Sequence, residues 1–123
     1  MPPHKKRVLY VEDDIDSFEL LSAILQDYEV VKASTIDEAL EHFRHNSFHY
    51  IILDQNLPDG TGLELFNRIR LSDKRTPVVF ITGHEDLDTG QLLNCDGVIR
   101  KSSSDFYDRV MSFVDRDTPS SSH

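Results

Sequence analysis

Polar, reactive side chains stand directly behind apolar runs at four places in the chain. Glu12, Asp13 and Asp14 follow VLYV, Asp54 ends YIILD, Thr82 follows VVFI, and Lys101 follows GVIR. Carboxylates brought within several ångströms of one another repel by a few kcal/mol at intermediate dielectric, and a divalent cation is the natural way to keep them ionised. Carboxylate and carbonyl oxygens with room for water suit Mg²⁺, and the acidic loops hold no thiol or histidine to favour zinc. Each signal has a plainer reading. An acidic triplet after a strand also serves as the cap and first turn of a helix, where exposed N–H groups favour negative charge. A cap at Asp14 or Asp16 would leave Glu12 and Asp13 free as ligands. A lone Asp, Thr or Lys says little by itself; four of five run ends carrying such groups says more.

The elements that must position these groups are legible from periodicity. Five runs rich in β-branched residues recur at 7–11 (RVLYV), 29–33 (EVVKA), 50–54 (YIILD), 77–81 (PVVFI) and 97–100 (GVIR), and each predicts a strand. Helical spacing lies between them. Phe18, Leu21, Leu25 and Tyr28 form one inward stripe, and Ile36, Ala39, Leu40 and Phe43 form a second, with Thr35 and Glu38 as a capping box. Leu65, Phe66 and Ile69 mark a helix near 63–71. Leu87, Leu92 and Leu93 mark a weaker one near 84–93, and Phe106, Val110, Phe113 and Val114 mark the last. Strand and helix alternating five times, with central strands that are nearly continuous apolar runs, predict a doubly wound five-stranded parallel sheet with helices on both faces. In such a sheet the site lies beyond the carboxyl ends of the strands. Only the second strand ends blandly, at Ala33 and Ser34, which fits an edge position and the order 2-1-3-4-5.

Composition narrows the partners. The 123 residues carry 13 basic and 22 acidic side chains, a formal charge of −9, which argues against a nucleic-acid or anionic-membrane surface. Cys95 is the only cysteine, so no intramolecular disulfide is available and a cytoplasmic location is expected. The apolar run behind MPPHKKR is too short for a secretory signal, and no segment has the length of a membrane span. His42 and His45 share a helix face off the apolar stripe and read as solvated, and His84, just past Thr82 and near the crevice, reads as a loop histidine with no catalytic role.

Together VLYVEDD, IILDQNLPDGTGLEL and PVVFITG, with the RKS around Lys101 as a weaker match, resemble the receiver domain of two-component response regulators over residues 7 to about 115. The resemblance implies a CheY-like, flavodoxin-like α/β/α fold for a receiver domain at 7–116; the residues on either side, an N-terminus at 1–6 and a tail at 117–123, are expected to be disordered. It implies that Asp54 accepts a phosphoryl group from a histidine kinase or a histidine phosphotransfer protein. Glu12, Asp13 and Asp54, with the Asn56 backbone carbonyl, would hold Mg²⁺; Thr82 would hydrogen-bond the phosphoryl oxygens and Lys101 would pair with them. The surface around the Thr82 loop and the fifth strand would then switch for an unnamed downstream protein, with self-association through the last helices left open. On this reading the chain is a signalling domain, not an enzyme, apart from transferring and losing its own phosphoryl group. A haloacid dehalogenase-type phosphatase is the alternative enzyme, but it would carry a second Asp where this chain has Asn56. An unphosphorylated interaction module keeping the fold alone is the other alternative. A flavodoxin-like cofactor protein is disfavoured because the acidic first loop would repel a flavin phosphate. Three departures bear on the output side. Val98 stands where the family commonly has Tyr or Phe, Ser102 stands where proline commonly follows the lysine, and the span from Thr82 to Lys101 is short. A cis bond before serine costs about 2.5–4 kcal/mol, so a trans Lys101–Ser102 bond is expected.

Overall fold

The computed structural model describes residues 5–83, 95–101 and 104–115. Five parallel strands, β1 (Arg7–Val11), β2 (Glu29–Ala33), β3 (Tyr50–Asp54), β6 (Val78–Thr82) and β7 (Gly97–Arg100), form one sheet in the order β2-β1-β3-β6-β7. Counted within that sheet, the order is the expected 2-1-3-4-5. The remaining two strands, β4 (Asn56–Leu57) and β5 (Gly60–Thr61), make a small antiparallel ribbon that the sequence reading did not anticipate. Four helices are described: α1 (Ile15–Ile24), α2 (Ile36–His45), α3 (Gly62–Arg70) and α4 (Phe106–Asp115). The helix expected near 84–93, His84, the Lys101–Ser102 bond and the tail from 116 lie outside the described residues.

Strand alternation divides the core in two. Leu9, Val11, Ile51, Leu53, Val78 and Phe80 face one side, where Ile36 and Ala39 of α2 and Leu65, Phe66 and Ile69 of α3 cover them. Val8, Tyr10, Tyr50, Ile52, Val79, Ile81 and Ile99 face the other, under Leu21 and Leu25 from the α1 end and Val110, Phe113 and Val114 of α4. Both central strands, β3 and β6, are buried along their whole length, as a sheet covered on both faces requires. The predicted stripes of the described helices therefore point inward as expected, with Phe18, Tyr28, Leu40, Phe43 and Phe106 partly buried at their margins.

Two boundaries differ from the sequence reading, for local reasons. The strand expected at 77–81 runs one residue later, because Pro77 has no N–H and contributes only its carbonyl, which accepts from Ile51 at 2.9 Å. Helix α3 starts at Gly62, not 63, because Thr61 and Glu64 form a reciprocal capping box. The box expected at Thr35 and Glu38 forms by half. Thr35 Oγ1 accepts the Glu38 N–H at 3.0 Å, while the Glu38 carboxylate takes the Ser34 N–H instead. The first-turn N–H groups of α2 go to a distant residue: Asp59 accepts from Ile36 at 2.9 Å and from Asp37 at 3.3 Å.

Two glycines make the turn behind Asp54 possible. Gly60 adopts φ 153°, a conformation that side-chain-bearing residues rarely take. At Gly62 a Cβ would overlap the Asp54 carbonyl oxygen, so only glycine lets α3 begin against the end of β3.

Candidate metal and phosphoryl site

The sheet register sets the site. Val11 pairs with Leu53, and Asp54 pairs with Ile81, so the carboxyl ends of β1, β3 and β6 finish at one level. Glu12 is anchored at the edge of β1 by its own N–H, which donates to the Ala33 carbonyl at 2.8 Å. Its side chain is 1% exposed, and Asp54 is 5% exposed. Asp13 is exposed. One carboxylate oxygen from each of Glu12, Asp13 and Asp54 lies within 4.8 Å of the others.

Asp14 settles the ambiguity of the acidic triplet. It caps α1, its Oδ2 accepting from the Ser17 N–H at 2.9 Å and the Ser17 hydroxyl at 2.7 Å, and those bonds hold its carboxyl below the usual range. Asp16 falls in the first turn of the helix. Glu12 and Asp13 are thereby left to the crevice.

Lys101 reaches back across the sheet. Its Nζ lies 2.8 Å from Glu12 Oε1 and 3.7 Å from Asp54 Oδ1. Its backbone N–H donates to the Thr82 carbonyl at 2.8 Å, which ties the lysine to the end of β6. Burial pulls the ammonium down, but the Glu12 hydrogen bond and the charges of Asp54 and Glu12 outweigh it, and the net shift is upward. Lys101 is a fixed cation. Thr82 is buried at the same rim, 1% exposed.

The electrostatics favour a further positive charge. Burial first, then the Glu12 charge beside it, push the Asp54 carboxyl up to about 7, against the pull of Lys101 and of the Asn56 N–H, which donates to it. A carboxylate held that high is under-neutralised by one lysine. Three oxygen donors, two buried and one open to solvent, with neither nitrogen nor sulfur in the group, are the ligand chemistry of Mg²⁺. The residues present fit that ion.

The sequence reading missed one participant. Tyr10, 1% exposed, donates its hydroxyl to Glu12 Oε1 at 3.1 Å, and burial, then the Glu12 charge, raise its pKa. The signal was a lone aromatic among the aliphatic residues Val8, Leu9 and Val11, two residues before Glu12 and so on the same strand face. On α2, exposed His45 pairs with Glu41 at 2.9 Å. Among the described residues Glu12, Asp13 and Asp54 are the group able to hold a metal, and no helix is long and apolar enough to cross a membrane.

Comparisons with known proteins converge on one family. The response regulator receiver domain model matches residues 8–104. The chain is 34% identical over 87 residues to the response regulator PilR of Pseudomonas aeruginosa, a match covering 69% of this chain and 20% of PilR. It superposes on the response regulator TrrA of Thermotoga maritima, solved in complex with Mg²⁺ and BeF, with a TM-score of 0.79 at 30% identity, covering 90% of this chain and 97% of TrrA. It also superposes on TrrA in complex with the histidine kinase ThkA, with a TM-score of 0.75 at 30% identity, covering 89% and 97% of the two chains. The chain spans well under half of PilR's length, and its likeness to TrrA runs along nearly all of both chains.

Proposed function

The chain belongs to the response regulator receiver domain family, and from that premise we propose that it is a phosphorelay acceptor whose Asp54 takes a phosphoryl group from a phosphohistidine on a kinase or a phosphotransfer protein. The observation that carries this is the single cluster of Glu12, Asp13, Asp54 and Lys101 at the carboxyl ends of β1, β3 and β7. Glu12, Asp13 and Asp54, with the Asn56 carbonyl, would hold Mg²⁺, which when bound neutralises charge on the phosphoryl oxygens and on the carboxylates themselves.

Within the chain, β3 delivers the nucleophile. An Asp54 oxygen attacks phosphorus as the phosphorus–nitrogen bond to the donor imidazole breaks, giving an acyl phosphate and a free histidine. Asp54 must be ionised to attack, which a cation and Lys101 favour. Lys101, already between Glu12 and Asp54, pairs with the incoming phosphoryl oxygens. Thr82 at the rim of β6 donates its hydroxyl to them, and the added charge resets the loop behind it for a downstream protein partner. Protein partners are supported by the charge of −9, which disfavours nucleic acid, and a kinase as donor by the ThkA–TrrA complex, in which a response regulator is solved together with a histidine kinase.

The test is labelling by acetyl phosphate in the presence of Mg²⁺. One phosphoryl group should be gained by the wild type, lost when EDTA is added beforehand, and absent in Asp54→Ala. Undiminished labelling of Asp54→Ala would refute the assignment.

A further inference from the structure

We propose that the Tyr10 hydroxyl is a positioning group for the acidic cluster: it holds Glu12 so that a carboxylate oxygen faces the cation, and keeps holding it when Lys101 turns to the phosphoryl group. The inference rests on the function proposed above and concerns how that site is built.

Tyr10 is fixed from several sides. It pairs in register with Lys32 of β2 and Ile52 of β3, and its ring stacks on Phe18 of α1 with centroids 6.0 Å apart at 20°. An aliphatic side chain would fill the interior of a strand covered on both faces, so packing alone does not call for a tyrosine. What tyrosine adds is a buried hydroxyl, which needs a partner. The partner is Glu12 Oε1, 3.1 Å away.

The lone pairs of Glu12 then give the orientation. A carboxylate has about four acceptor directions. Oε1 takes two donors, Tyr10 at 3.1 Å and Lys101 at 2.8 Å, and Oε2 takes the Asp14 N–H at 3.3 Å. Among the described residues no further N–H donor reaches Oε2, and the other group bonded to this carboxylate is the neighbouring acid, Asp54. Glu12 is thus locked through Oε1 and open through Oε2, the arrangement of a ligand held from behind by an outer hydrogen bond. Lys101 is shared between two acids. When it moves to a phosphoryl group on Asp54, Glu12 Oε1 loses its charged donor inside a side chain that is 1% exposed. A buried acceptor stripped of its partner is costly, and the Tyr10 hydroxyl remains to satisfy it.

Mg²⁺ titration followed by amide NMR shifts tests this on wild type, Tyr10→Phe, Glu12→Gln and the double variant. Tyr10→Phe keeps the ring, and it should raise the Mg²⁺ Kd about 10-fold while lowering thermal unfolding in EDTA by no more than a few degrees. In the Glu12→Gln background the same change should do nothing further, since its effect runs through Glu12. Replacing Tyr10 by 4-aminophenylalanine, which keeps a donor at that reach, should restore the wild-type Kd, and this variant decides the matter if Tyr10→Phe proves too unstable to titrate. An unchanged or tighter Kd in Tyr10→Phe, equal weakening in the Glu12→Gln background, or no rescue by the amine overturns the inference. A wild type that binds no Mg²⁺ would overturn the proposed function with it, whereas a wild type that binds normally beside an indifferent Tyr10→Phe overturns the role of Tyr10 alone.

Discussion

The carboxyl end of β3 and the edge strand β7 are built to different standards. Every residue of β3 is buried, and Asp54 at its tip is ringed by Glu12, Lys101 and the Asn56 N–H. Along β7 only Ile99 is buried; Gly97 and Val98 are half-exposed and Arg100 is exposed. Val98 packs at the margin of the core on the α2 and α3 side and lines an open groove of about 470 Å³ with Gly97, Asp108 and Arg109. The site end is over-determined around Glu12 and Asp54, where several groups converge. The edge is less buried. Chemistry that needs positions accurate to a fraction of an ångström belongs at the first, and a surface that has to change shape belongs at the second.

The largest effect that would break this contrast is at Lys101, where the two regions meet. Lys101→Ala should slow labelling by acetyl phosphate on the order of 100-fold, as loss of a transition-state charge partner does, while far-ultraviolet circular dichroism stays native. A loss of a few-fold or less would mean that the site does not depend on the lysine that β7 supplies.

Next in size is Gly62→Ala. The added Cβ meets the Asp54 carbonyl, and overpacking of that kind costs about 1–3 kcal/mol in denaturant unfolding. The same change at Gly97, whose Cβ would meet only Val79 Cγ2 at 3.4 Å, should cost less. Equal costs would erase the difference in tolerance between the two regions.

The pH dependence is smaller and has a definite sign. Without a divalent cation the folded Asp54 titrates at about 7, raised from 3.8. Between those values the folded state binds more protons than the unfolded one, so stability falls as pH rises across that window and is flat above it. Asp54→Asn removes the cost. It should stabilise the cation-free protein by about 2 kcal/mol at about pH 8, less than the full shift implies because the carboxylate keeps some solvent contact, and the gain should vanish near pH 4. Urea midpoints in EDTA at both pH values check it.

The smallest effect is expected at Val98. Val98→Tyr should change the rate of labelling less than about 2-fold and the stability by under about 1 kcal/mol, since the position is half-exposed and outside the acid cluster. A large fall in labelling rate would tie the edge strand to the chemistry more tightly than its exposure suggests.

How much of this was readable beforehand depended on the range of the interaction. Continuous β-branched runs announced the five sheet strands, the alternation of strand and helix announced a doubly wound parallel sheet, and the bland end of the second strand announced its order. Asp54, Glu12, Asp13 and Lys101 were named from their positions behind those runs, and the structure brings them together. The acidic triplet stayed ambiguous until the path of α1 made Asp14 its cap, because cap and ligand use the same residue types. Tyr10 was hidden for another reason. A tyrosine in a strand reads as core, and its hydroxyl acquires meaning only from a glutamate whose orientation the fold decides. Asp59 capping α2 from 22 or more residues away is a contact between distant segments, and the β4–β5 ribbon is too short for any periodicity. Thr61 and Glu64 did carry a local signal, the S/T-x-x-E pattern, ahead of a helix that the apolar stripe placed one residue late.

The most direct test of the central claim is to find which atom takes the phosphoryl group. After phosphorylation with acetyl phosphate and Mg²⁺, borohydride reduction of the acyl phosphate and peptide mapping should place the reduced residue at position 54 alone. Reduction at Asp13 or at another carboxylate, with position 54 unmodified, would contradict the account.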